Sequence, residues 1–561
     1  MAPKKRLDCF LSGTSFGNVA KKGFCQRCVT VASLSGHFWN PSRYSLSLLY
    51  FTKRRYYDRQ VETLSPYMQT TNGKDSNNYS LLETAAVPTD SALVEGIRQV
   101  AIGKYGAKSL NKSLANRILE ELEQIEKQMR NWNNSPEENS LYQQQVLQRA
   151  AFLGSLYLKP NWNLDEQEIL RKYELGIAST KKPCSEASLL LAVHPNSFQR
   201  LEECHLTEHV LKLLQGDHLS TLEAEQLGEF ILECKTLTDA TLSAMILHIM
   251  RVRHETSEEL IGFATACQKT LNTLWKSNVS VQIRRPIPVL QITEPFDGVV
   301  KSPMVTPLIA KYITEQYGIW TVLIGSDTSG PKSFVRSIQY GVNLKMLVEK
   351  LGEARIPRIS SRKHLEEMFQ MQTSPRVLYM DLEDICPALS RLTYLRRTII
   401  KRPCLATVEK AINYIDADAL LTSAFHSNYI DKMIRIGTAQ QFFQVFVLSG
   451  GIEGGLAFPV GGRSGVTISS FSQDGSNNHL VDVQKVTPSD VLSEKIRSNV
   501  QYENSPSWLS CNAELIGRVW DRTGSSDETF DAVVKATIQT LEFLQNKMIQ
   551  IANRRMASRD G

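Results

Sequence analysis

The chain has 561 residues, of which 42% are hydrophobic and 22% charged, a composition typical of a globular protein long enough for two or three domains. Its 64 Lys and Arg residues against 58 acids give a net charge of +6, which permits nucleic-acid binding but does not by itself indicate it. No apolar run approaches the roughly 20 residues that a membrane-spanning helix needs, so we expect no membrane span. The ten cysteines lack a regular spacing, which is typical of reduced thiols.

Residues 1–60 form a basic, hydroxyl-rich segment. They contain eleven Lys or Arg residues but only two acids, Asp8 and Asp58. This composition is typical of an organellar transit peptide, and we expect a chloroplast rather than a mitochondrial address. A disordered basic tail is the alternative. Residues 61–88 are predicted to be a polar linker.

Helical periodicity begins after the linker and continues through residues 89–180. Leu110–Leu122 has apolar residues at helical spacing behind a candidate N-cap, Asn111, and Val146–Leu158 resumes the apolar stripe. We interpret residues 89–180 as a degenerate copy of a helical domain at 205–275, with an unrelated helical insertion as the alternative.

Residues 205–275 contain clear helix starts. Ser220–Glu223 and Thr256–Glu259 have the sequence of capping boxes, in which the side chains of the first and fourth residues satisfy free backbone N–H groups. Thr238 or Asp239 is the predicted cap of the helix between them.

Residues 284–550 are predicted to form an α/β domain with a mainly parallel sheet. Short apolar runs alternate with loops and helical patterns, which is typical of successive βα units whose ligands lie at the strand ends. Phe530–Ile551 is predicted to be a closing amphipathic helix. The five predicted strands are Val289–Ile292, Trp320–Ile324, Arg376–Met380, Ala419–Ser423 and Phe442–Leu448.

Several motifs resemble, in the right order, the glycosyltransferase family 3 core of anthranilate phosphoribosyltransferase (TrpD) and the thymidine phosphorylase group. Gly341–Leu344 matches the family's GVNL, and Arg253–Leu260 resembles its KGETPEE segment. Leu382–Arg397 and Ala424–Met433 most resemble the DNA-binding TrpD paralogue YbiB. The resemblance spans Leu206 to Phe543. It implies a helical N-terminal domain, a nucleoside phosphorylase/phosphoribosyltransferase-type α/β domain, and a homodimer formed through the helical domain.

The family's phosphate-binding motifs are altered in this chain. Glu294–Gly298 stands where TrpD has GTGGD, and Leu323–Lys332 stands where it has KHGNRSVSSKSG. A helix is expected to begin at Pro303, with Ser302 as its cap. The phosphate-binding candidates that the resemblance and the loop hydroxyls leave are Asp297, Gly298, Ser302, Thr306, Gly325, Ser326 and Lys332.

The family's magnesium and acceptor positions are also changed. A late Gly-rich loop keeps Glu453 but lacks the adjacent acid of the family's Asp-Glu pair. Since Mg²⁺ needs several hard oxygen ligands, we expect no cofactor, and Mg²⁺ only if the chain is an enzyme. Arg402 falls where TrpD places an anthranilate-binding Arg, and no residue is assigned a catalytic role.

The densest basic cluster of the predicted α/β domain consists of Arg391, Arg396, Arg397, Lys401 and Arg402. In a groove these side chains could contact phosphates, whereas on a helix face they would only be solvated. Together with the altered motifs, the cluster favours an organellar TrpD-like protein that binds single-stranded nucleic acid. The alternatives are a phosphoribosyl or pentosyl transferase with a rewired site, and a non-catalytic scaffold subunit.

Overall fold

The computed structural model describes residues 91–103, 106–130, 139–174, 184–272, 275, 287–300, 303–326, 342–371, 374–459, 465–473, 479–491, 508–522 and 527–557. All of them belong to one unit, Ser76–Gly561. The predicted transit peptide and linker, together with Ser302 and Lys332, lie outside the described residues.

Seven strands of the described residues form one sheet in the order β3-β2-β1-β4-β5-β6-β7. Strands β1 to β5 pair in parallel, whereas β6 pairs antiparallel with β5 and β7 antiparallel with β6. The α/β fold with a mainly parallel sheet is thereby confirmed. The strands are β1 Val289–Thr293, β2 Trp320–Gly325, β3 Val377–Asp381, β4 Ala419–Ala424, β5 Gln444–Ser449, β6 Val466–Gln473 and β7 His479–Val486.

Helices dominate the part of the described chain that precedes the sheet, as predicted. They are α1 Ala92–Val100, α2 Lys112–Arg130, α3 Asn139–Tyr157, α4 Leu164–Arg171, α5 Glu186–Val193, α6 Ser197–Glu203, α7 Thr207–Gln215, α8 Thr221–Glu233, α9 Leu237–Arg253 and α10 Ser257–Lys269. None of the described helices is both long enough and apolar enough to cross a membrane.

Further helices accompany and follow the sheet. They are α11 Thr306–Tyr317, α12 Leu344–Leu351, α13 Arg362–Met371, α14 Leu382–Ile385, α15 Pro387–Arg391, α16 Thr393–Thr398, α17 Leu405–Ala411, α18 Ile430–Ala439, α19 Pro488–Val491, α20 Trp508–Trp520, α21 Glu528–Glu542 and α22 Gln545–Ala557. All residues of β1 to β5 are buried, as expected for parallel strands covered on both faces.

Three predicted helix boundaries differ from the structure. The N-cap of α9 is Thr236, because its side chain accepts from the Asp239 N–H while Asp239 accepts from the Thr236 N–H. The helix expected from Pro303 begins at Thr306. The closing segment is two helices, α21 and α22, rather than one.

Two buried ion pairs repeat one local arrangement in the helical region. Lys159 Nζ contacts both carboxylate oxygens of Glu166, at 2.6 and 2.7 Å. Arg253 Nη2 contacts Glu259 Oε1 at 2.5 Å, and Glu259, like Glu166, lies in the first turn of the helix that follows its cation. Glu166 and Glu259 each complete the capping box of their own helix. Glu166 also accepts from the Leu110 N–H, two residues before α2, and Glu259 accepts from the Leu219 N–H, two residues before α8. We propose on this basis that residues 89–180 are a degenerate copy of 205–275.

Helices α3 and α9 pack closely against each other. A Cβ added to Gly154 would lie 2.8 Å from Met245 Cγ, so the glycine permits this approach. Across the same contact, Ser155 Oγ lies 2.9 Å from His248 Nδ1, and His248 Nε2 lies 2.8 Å from the Ile399 carbonyl oxygen. The helix pair is thereby bonded to the loop that follows α16.

Candidate functional site

A cleft of about 750 Å³ lies where the helical region meets the carboxyl end of β4. Its walls come from the end of α1, the turn between α9 and α10, the segment from Ile400 through α17, and the residues that follow β4. In parallel sheets, ligands bind outside the carboxyl ends of the strands, so this is where a ligand is expected.

The loop from Ile399 to Arg402 forms one wall of the cleft and is held at both ends. His248 Nε2 donates to the Ile399 carbonyl oxygen, and Arg251 Nη1 donates to the Arg402 carbonyl oxygen at 2.6 Å. Ile400 between them has a φ of 68°, a left-handed conformation that is unfavourable for a β-branched residue. The two hydrogen bonds stabilise this conformation, which directs the Lys401 side chain into the cleft lining.

The cleft carries an excess of positive charge. Five cationic side chains line it, whereas Glu255 is its single carboxylate among the described residues; the cations are Arg98, Arg251, Lys401, Arg402 and Lys410. Glu255 accepts from the Tyr429 hydroxyl at 2.9 Å and lies 3.8 Å from Lys432 Nζ, so its charge is already compensated.

The excess of positive charge changes the pKa of Lys401. Partial burial, followed by the charges of Arg251 and Arg98, lowers the pKa of Lys401 from 10.5 to about 8. No carboxylate of the described residues forms an ion pair with Lys401, so an anion that enters the cleft would favour its charged form.

Aromatic side chains lie at the rim of the cleft. Phe425 is 57% exposed, and its ring contacts His426 edge-on with centroids 4.7 Å apart. His426 itself is exposed. It precedes a short 3-10 helix, Ser427–Tyr429, and its side chain makes no capping hydrogen bond with that helix. An exposed ring beside a cationic wall is a suitable surface for base stacking.

The structure separates the members of the predicted basic cluster. Lys401 and Arg402 line the cleft, whereas Arg391 is exposed and Arg397 half-buried outside its lining. Arg396 is buried, and both of its terminal nitrogens donate to the carboxylate of Glu409. The Arg396 guanidinium therefore supports the interior instead of facing a ligand, which corrects its assignment as a nucleic-acid contact.

Two residues predicted for different roles meet in an ion pair. Arg402 is the predicted acceptor-binding residue, and Asp297 is a predicted phosphate-binding residue. Arg402 Nε donates to Asp297 Oδ2 at 2.8 Å, and Arg402 Nη2 donates to the same oxygen. Gly298 follows with a φ of 71°, and a Cβ there would lie 2.3 Å from the Val342 carbonyl oxygen. The glycine is thus required for loop packing, and the carboxylate of Asp297, a predicted phosphate-binding candidate, compensates the charge of Arg402.

The remaining phosphate candidates lie at the carboxyl end of β2 and at the start of α11. Thr306 Oγ1 and Ser326 Oγ are both buried and have no hydrogen-bond partner among the described residues. A Cβ added to Gly325 would lie 2.8 Å from the Tyr379 ring, so the small size of this residue serves packing against Tyr379. Ser302 and Lys332 lie outside the described residues.

Glu453, the predicted weak metal ligand, is engaged with the backbone. Its Oε2 accepts from the Val300 N–H at 2.6 Å, and Glu294 Oε1 similarly accepts from the Leu456 N–H at 2.9 Å. In the described part of the chain, no three His, Cys, Asp or Glu side chains converge as a metal site would require. The donor set there does not fit Mg²⁺, and we derive no step through it.

Three cations of the cleft were not among the predicted site residues: Arg98, Arg251 and Lys410. Arg98 and Arg251 stand far from the predicted cluster in the chain, and Lys410 is a single cation that directly follows Glu409. Arg251 stands two residues before the buried Arg253–Glu259 pair, which is its only local signal.

No protein-family model matches the chain. An uncharacterized protein from Aquifex aeolicus (strain VF5) is 26% identical over 238 residues, which are 42% of this chain. The match spans 64% of that relative's length.

Solved structures that are similar to this chain include anthranilate phosphoribosyltransferases. The protein from Thermus thermophilus (TrpD) is 14% identical with a TM-score of 0.38, and the match covers 61% of this chain and 98% of that one. The Saccharomyces cerevisiae protein in complex with PRPP and Mg is 12% identical with a TM-score of 0.39, and the match covers 64% and 99%. At TM-scores this low, neither likeness carries an argument about the cleft.

Proposed function

We propose that this chain binds single-stranded nucleic acid in the basic cleft, as an organellar relative of the YbiB-like proteins that its motifs resemble. The observation that carries the proposal is the charge of the cleft: five cations line it, of which Arg402 is paired with Asp297, and its one carboxylate, Glu255, is already compensated. Such a surface attracts the phosphates of a nucleic acid whatever its nucleotide sequence, and release of their counterions makes the binding depend on salt concentration.

The rim supports the same proposal. Phe425 exposes a ring beside the cationic wall, which is the combination of stacking platform and basic groove that proteins use for single strands. Stacking needs no particular base, so we propose binding with little sequence preference.

The test is fluorescence anisotropy of labelled single-stranded DNA and RNA with the full chain across a salt series. We expect Lys401→Ala to weaken binding about tenfold at low salt and to reduce the salt slope by about 0.7, since one phosphate contact is lost. Arg391→Ala is the matched control, because Arg391 belongs to the same basic cluster but lies outside the cleft lining.

Two results would overturn the proposal. If the two variants weaken binding equally, the cleft is not the site. If the wild-type chain binds neither polymer even at low salt, nucleic-acid binding fails altogether, and the transferase and scaffold functions remain.

A second candidate function is phosphoribosyl or pentosyl transfer at the sheet edge. The observation that favours it is the pair of buried, unpartnered hydroxyls of Thr306 and Ser326, which an anion could satisfy. Calorimetric titration with phosphoribosyl pyrophosphate, with and without Mg²⁺, tests it. We expect Ser326→Ala to abolish any binding at this place and Lys401→Ala to leave it unchanged.

A further inference from the structure

Lys401 lines the cleft with an amino group that no other described residue engages. Its side chain is half-buried in the cleft wall, and no described side chain or carbonyl oxygen forms a hydrogen bond or ion pair with its Nζ. The charged groups that act on this amine are Arg251 and Arg98, and both are cations. Lys401 thus differs from Lys410, which is buried and whose Nζ donates to the Ser423 carbonyl oxygen.

A tight backbone turn fixes the position of Lys401. Its N–H donates to the Ile399 carbonyl oxygen at 2.7 Å and so closes a three-residue turn around Ile400. The φ of 68° at Ile400 is the mark of the rare, strained form of this γ-turn. His254, which also lines the cleft, is a second left-handed residue with a φ of 66°. Strained residues cluster at functional sites, where the structure fixes one side chain at a backbone cost.

The cation beside Lys401 is fixed as well. Arg251 Nε donates to the Ala101 carbonyl oxygen at 3.1 Å, and Arg251 Nη1 donates to that of Arg402 at 2.6 Å, so its charge cannot turn away. Partial burial, and next the charges of Arg251 and Arg98, hold the pKa of Lys401 at about 8. About a tenth of such an amine is neutral at pH 7, against roughly one in 2,500 for an ordinary lysine.

A neutral lysine amine condenses with aldehydes. Its nitrogen lone pair adds to the carbonyl carbon, and the carbonyl oxygen then leaves as water with both hydrogens of the amine. A C=N bond replaces the C=O bond, and no metal, oxidant or reductant takes part. Desolvation and a neighbouring cation are the two means by which proteins activate lysines for such Schiff bases.

We propose that the cleft captures an aldehyde that carries a phosphate, as a Schiff base with Lys401 Nζ. Arg98 and the other cations of the lining attract the phosphate, and the aldehyde carbon meets the amine. Two sources share this chemistry: the opened sugar of an abasic site in a nucleic acid, and a free sugar phosphate. The first source rests on the proposed function, whereas the second does not.

The first experiment maps the reacting lysine in the wild-type full chain. The protein is incubated with ribose 5-phosphate or ribose and sodium cyanoborohydride, which reduces the Schiff base to a stable amine, and its peptides are analysed by mass spectrometry. Lys363, whose side chain is 88% exposed and lies outside the cleft lining, is the internal reference. Relative to Lys363, we expect Lys401 to react about tenfold faster with ribose 5-phosphate than with ribose, the effect of one charge-assisted contact to phosphate.

Two variants and one buried lysine are the controls of this measurement. Arg98→Gln should reduce the preference for ribose 5-phosphate over ribose, because one cation for the phosphate is lost. Lys410 should stay unlabelled although its pKa is also about 8, because its Nζ is buried and bonded to Ser423. Lys401→Arg should abolish labelling at this position.

The second experiment tests the polymeric source. A single-stranded DNA oligonucleotide with one abasic site is incubated with the full chain and borohydride, and the covalent complex is resolved on a denaturing gel. The same oligonucleotide with a tetrahydrofuran residue, which has no aldehyde, is the matched control. We expect a complex with the abasic strand alone and none with Lys401→Arg, whose affinity for an intact strand should stay within about twofold because the positive charge is kept.

The outcomes distinguish this proposal from nucleic-acid binding. If Lys401 reacts no faster than Lys363, or if Lys401→Arg still forms the covalent complex, the Schiff base is overturned, while binding of intact strands stands by its own salt series. If ribose 5-phosphate labels Lys401 and the abasic strand is not trapped, the site stands with a free sugar phosphate as its source. Trapping of the abasic strand alone supports the nucleic acid as the source.

Discussion

Arg396 offers a direct test of the difference between a surface cation and a buried one. Its side chain is 2% exposed, as is that of Glu409, and the two form a bidentate pair with N–O distances of 2.5 and 2.8 Å. Arg396→Met removes the cation and leaves the Glu409 carboxylate buried. Breaking a buried pair from one side costs about 3–5 kcal/mol, so we expect a loss of that size in the free energy of unfolding.

The double variant Arg396→Met, Glu409→Leu isolates the cause. Replacing both charges by apolar side chains of similar size is commonly neutral or stabilising, so the double variant should recover most of the lost stability. Urea unfolding with an unchanged m-value measures both differences, and anisotropy at several salt concentrations measures binding. The reasoning is refuted if Arg396→Met leaves the urea midpoint unchanged but reduces the salt slope of binding, because Arg396 would then contact phosphates.

Three further predictions concern the helix pair, the N-terminus and assembly. Burial lowers the pKa of His248 from 6.5 to about 3, so the stability that neutral His248 contributes is present above pH 6.5 and is lost as the pH falls toward 3. The free energy of unfolding should fall by at most about 1.4 kcal/mol per pH unit in this range, and His248→Asn should remove this pH dependence. N-terminal sequencing of the mature protein should begin near residue 60, and an intact Ala2 end would contradict a transit peptide. Mass photometry at micromolar concentration should give a dimer, and a monomer alone would contradict the homodimer that the family resemblance implies.

The sheet could be predicted where the signal was local. Strands β1 to β5 each coincide with a short apolar run, because strands covered on both faces need apolar residues on both sides. Strand β6 was missed, since Ser469 and Ser470 are buried within it and interrupt its apolar pattern. These serines lie in an antiparallel extension whose pairing with β5 no local pattern indicates.

The lining of the cleft could be predicted only in part, because basic residues that are close together in the sequence are not always close together in the fold. Arg391 and Arg396 lie on separate short helices, one exposed and the other paired internally with Glu409. Of the predicted cluster, Lys401 and Arg402 reach the cleft. Arg98 and Arg251 come from distant segments, and only the tertiary fold brings them to Lys401 and Arg402.

The strained loop explains why the helical region belongs to the site. A left-handed Ile400 is unfavourable by about 1–3 kcal/mol and persists only where surrounding contacts determine it. His248 and Arg251, both from α9, supply those contacts through carbonyl oxygens on either side. Because α9 is itself fixed by packing on α3, the position of Lys401 depends on residues from both proposed copies of the helical domain. The helical region therefore positions the cations of the cleft in addition to contributing Arg98 and Arg251 to its lining.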